Sequence, residues 1–170
     1  MQGVGPTDEV SDTMVAPAFA AFYRQHYGAV LAFAVRRIDD RETAREIAVD
    51  VFRIAWGAFG DGTEPTRAWL LRVARNQIGD AYRRRDRDRR LHRALEGEAL
   101  LGGRPAPDAR VAEVLDGLPD AAREVLMLTY WDGLPAAEAG RVLGCSAAAV
   151  WVRLHRARAA FAAAWTEADR

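Results

Sequence analysis

The sequence predicts an all-α fold of two small helical domains joined by a flexible linker, with a helix-turn-helix in the second domain. Apolar residues recur at three- and four-residue spacing along most of the chain, which is the period of an amphipathic helix. No stretch alternates apolar and polar residues for long enough to form a strand. The periodicity is lost over residues 95–108, where EGEALLGGRPAPD is typical of a linker.

The first predicted domain covers residues 17–94 and follows a tail, residues 1–16, that we expect to be disordered. An amphipathic helix is expected from Pro17 to about Arg37. His26 lies on its apolar stripe, and we interpret it as a core or boundary residue because no second metal ligand is near.

A second helix is expected to begin at a cap, Asp39 or Asp40, and to end near Gly57. Residues 57–66, GAFGDGTEPT, are rich in glycine and are expected to form a loop. Phe59 would then be an exposed aromatic residue in that loop.

The third helix is expected from Pro65 to Arg93, with Thr63 or Glu64 as its cap and Pro65 at its first position. Its apolar stripe consists of Leu70, Val73, Ala74, Ile78 and Ala81.

The C-terminal part of this helix is strongly basic. Seven arginines and two aspartates lie between Arg83 and Arg93. A solvated helix end, where basic residues complement the helix dipole, is the plain explanation. Seven arginines exceed that need, so we favour a surface for a nucleic-acid backbone.

The second predicted domain covers residues 109–167. It contains helices expected over residues 108–117, 119–131, 135–143 and 147–165. Gly133 ends one helix, Gly144 turns the chain, and Ser146 caps the last helix.

Residues 134–158, LPAAEAGRVLGCSAAAVWVRLHRAR, have the order of a helix-turn-helix. An αα-hairpin in a small bundle is the alternative, but four arginines and no acid from Arg141 to Arg158 favour DNA. In this motif the second helix presents its first residues to base edges and its later arginines to phosphates. The candidate DNA-binding residues are Ser146, Ala149, Trp151, Val152, Arg153, His155, Arg156 and Arg158.

The composition excludes several functions. The net charge is zero, yet basic segments at 83–93 and 141–158 contrast with acidic ones at 1–16 and 94–122. All 24 basic residues are Arg, which excludes a catalytic or P-loop lysine. Cys145 is the only cysteine, so a disulfide framework is excluded; a small buried residue is favoured there over a redox switch.

Neither a zinc-ligand spacing nor an apolar run long enough for a membrane span occurs, and no cofactor is expected. The N-terminus lacks the features of a signal peptide. We therefore expect a cytoplasmic protein without membrane insertion.

Three segments in this order carry a family resemblance: RAWLLRVARNQIGDAYRRR (67–85), LPDAAREVLMLTYWDGL (118–134) and VRLHRAR (152–158). The chain resembles a bacterial RNA polymerase sigma factor of the sigma-70 family, extracytoplasmic-function (ECF) group. The likeness covers about residues 18–93 and 110–163. It implies a non-enzymatic protein whose first domain matches sigma region 2 and whose second matches region 4.

The resemblance also implies partners. The second helix would contact the clamp helices of the polymerase β′ subunit through Glu46, Asp50, Phe52 and Arg53. The loop and third helix would bind the opened minus-ten promoter element through Phe59, Asp61, Arg67, Trp69, Arg72, Asn76, Asp80, Arg83 and Arg84. The second domain would bind the minus-35 element and the β flap, and an anti-sigma factor or other protein regulator is expected.

The chain departs from the family pattern at two places. Residues 43–52, TAREIAVDVF, lack two acids and a glutamine that the family usually has, and carry Thr43, Arg45 and Val49 instead. In the last helix, Trp151 and Val152 replace a usual Lys-Ser pair. Trp151 would contact either thymine methyl groups or a regulatory protein.

Two functional hypotheses follow. The first is a sigma factor that joins core polymerase, recognises both promoter elements and promotes melting. The second is a degenerate sigma-like adaptor or DNA-binding protein, held by a regulator and unable to initiate alone. A nuclease has the least support, because the basic surface lacks an acidic cluster with metal-ligand spacing.

Overall fold

The computed structural model describes residues 7–61, 65–93 and 109–168, which form two compact units divided after Leu100. These residues contain helices and no strand, which confirms the all-α prediction. The helices are α1 (Thr7–Val35), α2 (Arg41–Gly60), α3 (Arg67–Arg93), α4 (Ala109–Asp116), α5 (Asp120–Tyr130), α6 (Ala136–Leu143) and α7 (Ala147–Glu167). The predicted linker, residues 95–108, lies outside the described residues. No helix among those described is long and apolar enough to cross a membrane.

Helix α1 begins ten residues earlier than expected. The prediction of a disordered tail is wrong from Thr7 onward, and Pro17 lies inside the helix. Residues 1–6 are outside the described residues. The segment TDEVSDTMVA (7–16) carries no apolar period, and that period is what predicts a helix from sequence.

Helix α2 is fixed at its start by a side-chain cap. The Asp40 carboxylate accepts hydrogen bonds from the amides of Glu42, at 3.3 Å, and Thr43, at 3.0 Å. It also accepts one from the Thr43 hydroxyl. These bonds, first of all that from the hydroxyl, lower the pKa of Asp40. Of the two expected caps, the structure therefore selects Asp40.

Helix α3 begins after a different cap from the one expected. The Thr66 hydroxyl accepts a hydrogen bond from the Trp69 amide at 3.2 Å, so Thr66 is the cap. Pro65 is buried just before the helix and is not its first residue. The expected caps, Thr63 and Glu64, lie outside the described residues. Sequence alone could not separate neighbouring threonines as caps, because the choice depends on where the chain enters the core.

Helices α1, α2 and α3 surround the core of the first unit. Its buried side chains include Phe22, Val30, Phe33, Ile47, Val51, Phe52, Leu70 and Leu71. An aromatic cluster extends this core between α1 and α2. In it, the ring of Phe52 lies 4.7 Å from that of Tyr23 and 6.2 Å from that of Phe22, measured between centroids.

The second unit is close to its prediction. Its core is built from Val114, Leu118, Val125, Leu128, Leu134, Val142, Val150 and Leu154. Gly133 and Gly144 adopt positive φ angles of 63° and 68°, and Ser146 Oγ accepts a hydrogen bond from the Ala149 amide at 3.1 Å. Gly144 ends α6 and Ser146 begins α7, because they supply the backbone freedom and the acceptor that a helix end needs. Helix α5 ends at Tyr130 with Trp131 as its C-cap, so Gly133 lies in the turn after this helix.

The turn between α6 and α7 packs closely against α6. A Cβ atom placed on Gly140 would lie 2.6 Å from the carbonyl oxygen of Cys145. That oxygen is backbone, so it cannot move without shifting the turn. Gly140 is thus the residue that lets the two helices of the motif approach.

We expect Gly140→Ala to lower the free energy of unfolding of the second unit by about 2 kcal/mol, because overpacking outweighs the gain in helix propensity. Urea unfolding followed by circular dichroism measures the change, and hydrogen exchange at α6 and α7 assigns it. Gly28→Ala is the matched control: it has no atom within 4 Å of the added Cβ, so stability should rise by up to about 1 kcal/mol. A Gly140→Ala protein as stable as wild type would contradict the packing described.

Candidate nucleic-acid interface

Helix α3 has a buried face and an opposite polar face. Ala68, Leu71, Ala74 and Ile78 face the core. The polar face of α3, as we name it, consists of Trp69, Arg72, Asn76, Asp80 and Arg83, which share one side of the helix by their three- and four-residue spacing. Trp69 is half-buried and the other four are exposed. Five of the nine predicted minus-ten residues are therefore brought together.

Charges on the polar face of α3 are partly paired. Arg83 donates to the Asp80 carboxylate at 2.5 Å, and both side chains are largely exposed. Such a pair contributes at most about 1 kcal/mol and is easily exchanged for another partner. Arg72 has no carboxylate partner in the described part of the chain, so its guanidinium is available to an anion.

Two of the predicted minus-ten arginines lie elsewhere on α3. Arg67 is half-buried on the side that faces the core. Arg84 lines a groove of about 460 Å³ between α2 and α3, whose walls also include Glu46, Asp50 and Gln77. The structure does not bring these two arginines together with the polar face of α3.

The first four residues of the loop expected before α3, residues 57–60, belong to α2. Phe59 belongs to the last turn of α2, so the prediction of an exposed loop aromatic is wrong. Its half-buried ring lies 5.3 Å from that of Phe19 and 5.2 Å from that of Phe22. Burial against these rings outweighs the turn preference of the neighbouring glycines. Asp61 follows as the exposed C-cap of α2, with its amide bonded to the Gly57 carbonyl.

The outer face of α2, as we name it, presents Glu46, Val49, Asp50, Arg53 and Trp56. Asp50 accepts a hydrogen bond from Arg53 at 3.2 Å. Val49 is 54% exposed and Trp56 is 41% exposed, so the charged residues flank apolar ones. The sequence analysis did not identify Trp56 as a surface residue, although its spacing of seven residues from Val49 places both on one side of the helix.

Phe52 does not belong to this outer face. It is only 3% exposed and packs in the aromatic cluster between α1 and α2. Burial of this ring holds α2 to α1, so the ring is not available at the surface of the folded first unit. That Phe52 contacts the polymerase stays a prediction.

Helix α7 buries Val150, Leu154 and Ala157 and exposes most of the predicted minus-35 residues. Trp151 is 59% exposed and Val152 is 51% exposed. Arg153, His155, Arg156 and Arg158 are exposed, whereas Ala149 is half-buried and Ser146 is used as the cap. The structure thus places a basic surface with two large apolar side chains on this helix.

One residue of the second unit was not identified from the sequence. Tyr130, the last residue of α5, accepts a hydrogen bond from Arg158 Nε at 2.6 Å. The Arg158 guanidinium also lies 5.5 Å from the centre of the tyrosine ring. No local pattern pairs residues 28 positions apart, so only the packing of α5 on α7 reveals this contact.

The two units match two different family models. Residues 22–88 match the family model for sigma-70 region 2, and residues 108–161 match that for sigma-70 region 4. The RNA polymerase sigma factor CnrH of Cupriavidus metallidurans is 37% identical, over 86% of this chain and 85% of its own length. The ECF RNA polymerase sigma factor SigL of Mycobacterium tuberculosis is 29% identical, over 84% of this chain and 85% of its own length.

A solved structure of CnrH, in complex with the cytosolic domain of CnrY, superposes with a TM-score of 0.67 and 32% identity, covering 96% of this chain and 99% of that one. Two family models in the expected order, and relatives matched over most of their length, leave one conclusion. The chain belongs to the sigma-70 family of bacterial RNA polymerase sigma factors, in its extracytoplasmic-function group.

Proposed function

We propose that this sigma factor binds core RNA polymerase, recognises the minus-35 and minus-ten promoter elements, and promotes DNA melting. The polar face of α3 carries this proposal. It aligns an aromatic ring, an amide and guanidinium groups on one exposed side of a helix whose other side is fixed in the core.

These groups suit a single DNA strand. Trp69 offers part of its ring to an unstacked base, and Asn76 offers an amide that can donate to and accept from a base edge. Arg72 and Arg83 supply charge for phosphates, which positions the strand without reading its sequence. Binding bases that have left the duplex favours the open form, so recognition and melting are one process.

The outer face of α2 is the proposed contact with the β′ clamp helices. Glu46, Asp50 and Arg53 supply charges that orient the partner, and Val49 and Trp56 supply apolar area that a partner can bury. Apolar contact thus takes the place of the acidic and amide groups that the chain lacks at positions 45 and 49.

The second unit is proposed to bind the minus-35 duplex through α7 and to contact the β flap. The exposed Trp151 and Val152 offer apolar area that is able to contact thymine methyl groups in the major groove. Arginines further along the helix would neutralise phosphates.

A protein regulator is a further proposed partner, because the similar CnrH was solved with the cytosolic domain of another protein, CnrY. The exposed apolar side chains of α2 and α7 offer such a partner area to bury. The alternative function, an adaptor unable to initiate alone, rests on the atypical Val49 and Trp151. Run-off transcription with purified core polymerase separates the two: absence of core binding at moderate salt would overturn the sigma-factor proposal.

We expect Asn76→Ala to relax base preference at one position of the minus-ten element, because one amide read-out is lost, costing about 1–3 kcal/mol of discrimination. In vitro transcription from a library randomised in that element, followed by sequencing, measures the preference. Gln77→Ala is the matched control: this neighbouring amide lines the groove between α2 and α3 and should leave the preference unchanged. Equal relaxation by both variants would contradict the role of the polar face of α3.

Arg83→Ala should lower transcription from all members of the same library by a similar factor of about three to ten, since a phosphate contact carries no sequence information. The ranking of promoter sequences should stay as in the wild type. A variant that reorders the library would show that Arg83 reads bases instead.

Val49→Arg should weaken the affinity for core polymerase by at least about tenfold, because a charge would replace apolar area at the centre of the outer face of α2. Fluorescence anisotropy of labelled sigma factor titrated with core polymerase measures the affinity. Ala21→Arg, at an exposed position of α1, is the control and should bind as the wild type does. Unchanged affinity of Val49→Arg would place the polymerase contact elsewhere.

A further inference from the structure

Arg158 is held in place by a residue from another helix. Its Nε donates to the hydroxyl of Tyr130 at 2.6 Å, while its guanidinium carbon lies 5.5 Å from the centre of the same ring. Tyr130 ends α5 and is itself exposed, so the contact forms at the surface and not in the core. The tyrosine thus fixes the direction of a side chain that would otherwise move freely.

The bond leaves the outer edge of the guanidinium free. With Nε engaged, the two terminal nitrogens of Arg158 still carry four N–H groups, and this is the edge that can bind a phosphate bidentately. The other arginines of α7 differ: Arg153 and Arg156 have no partner in the part of the chain that the structure describes. Arg158 is therefore the pre-organised one among these three.

The position of Arg158 along α7 suits the DNA backbone better than the bases. It lies twelve residues after the Ser146 cap, which corresponds to about 18 Å along a helix. The major groove is only about 12 Å wide. If the first residues of α7 lie over base edges, as in other helix-turn-helix proteins, Arg158 lies beyond the groove, at its phosphate wall.

We propose that Tyr130 is a positioning residue that holds the Arg158 guanidinium ready for a phosphate of duplex DNA. This inference rests on the proposed minus-35 function of the second unit. Tyr130 does not touch the DNA; it removes rotational freedom from Arg158 before binding, so less conformational entropy is lost when the phosphate is bound.

Replacing Tyr130 and replacing Arg158 should change duplex binding in different ways. Arg158→Ala should reduce the salt dependence of duplex binding by about 0.9 log units per log salt, the value for one phosphate contact. Tyr130→Phe keeps the ring and the arginine charge but loses the hydroxyl acceptor. It should weaken binding about threefold to tenfold while leaving the salt dependence nearly unchanged.

A double-mutant cycle tests the proposal. The full-length chain, as wild type, Tyr130→Phe, Arg158→Ala and the double variant, is titrated against a fluorescein-labelled duplex of mixed sequence over a series of salt concentrations. Mixed sequence suffices, because phosphate contacts are independent of sequence. We expect the effect of Tyr130→Phe to vanish in the Arg158→Ala background.

Arg156→Ala provides the matched background, since Arg156 is an exposed arginine of α7 without a tyrosine partner. There Tyr130→Phe should keep its full effect, and its thermal unfolding should match the wild type. An effect of Tyr130→Phe that is equal in all backgrounds, or no effect in the wild type, would overturn the positioning role and leave the proposed function standing. A wild-type chain that fails to bind duplex DNA at low salt would instead overturn the proposed minus-35 function, and the inference with it.

Discussion

The burial of one side of α3 is the constraint on which the first unit depends. Ala68, Leu71, Ala74 and Ile78 are held against α1 and α2, and this fixes the rotation of the helix about its axis. Because side chains follow the helical period, the rotation also decides which residues face solvent. Packing behind the helix therefore fixes where the backbone presents Trp69, Arg72 and Asn76. Because the backbone of α3 is fixed before a partner binds, less conformational entropy is lost on binding.

In the second unit a close contact between backbones adds to the core. Gly140 allows the turn at Cys145 to lie against α6, and Ser146 then begins α7 at a fixed place. The direction of α7 follows from that close approach together with the burial of Val150 and Leu154. The chain is rich in alanine, and small residues such as Gly140 help to set how closely and at what angle its helices pack.

Sequence reasoning succeeded where the signal was local. Caps and glycines predicted the ends of α4 to α7 within about two residues. The apolar period predicted α3 and the burial of its Leu70, Ala74 and Ile78, although Val73 and Ala81 are only half-buried. It failed where the outcome depends on distant residues. The sequence predicted Phe59 in a loop, whereas in the structure its ring packs against Phe19 and Phe22 of α1. The family resemblance alone implied that Phe52 contacts the polymerase, and its ring lies in the core. The pairing of Tyr130 with Arg158 has no sequence signal.

Exposed apolar side chains alone would be poor indicators of an interface, because single ones are common on protein surfaces. Their positions around the helix axis show which of them lie beside charged residues. Val49 and Trp56 share a side with Glu46 and Arg53, and Trp151 shares a helix surface with Arg158, seven residues later. Charges beside apolar groups orient a partner over long range, and the apolar groups contribute area once water leaves. A chain with zero net charge can thus be attracted to polyanionic DNA, since it is the local charge that a partner meets within a Debye length.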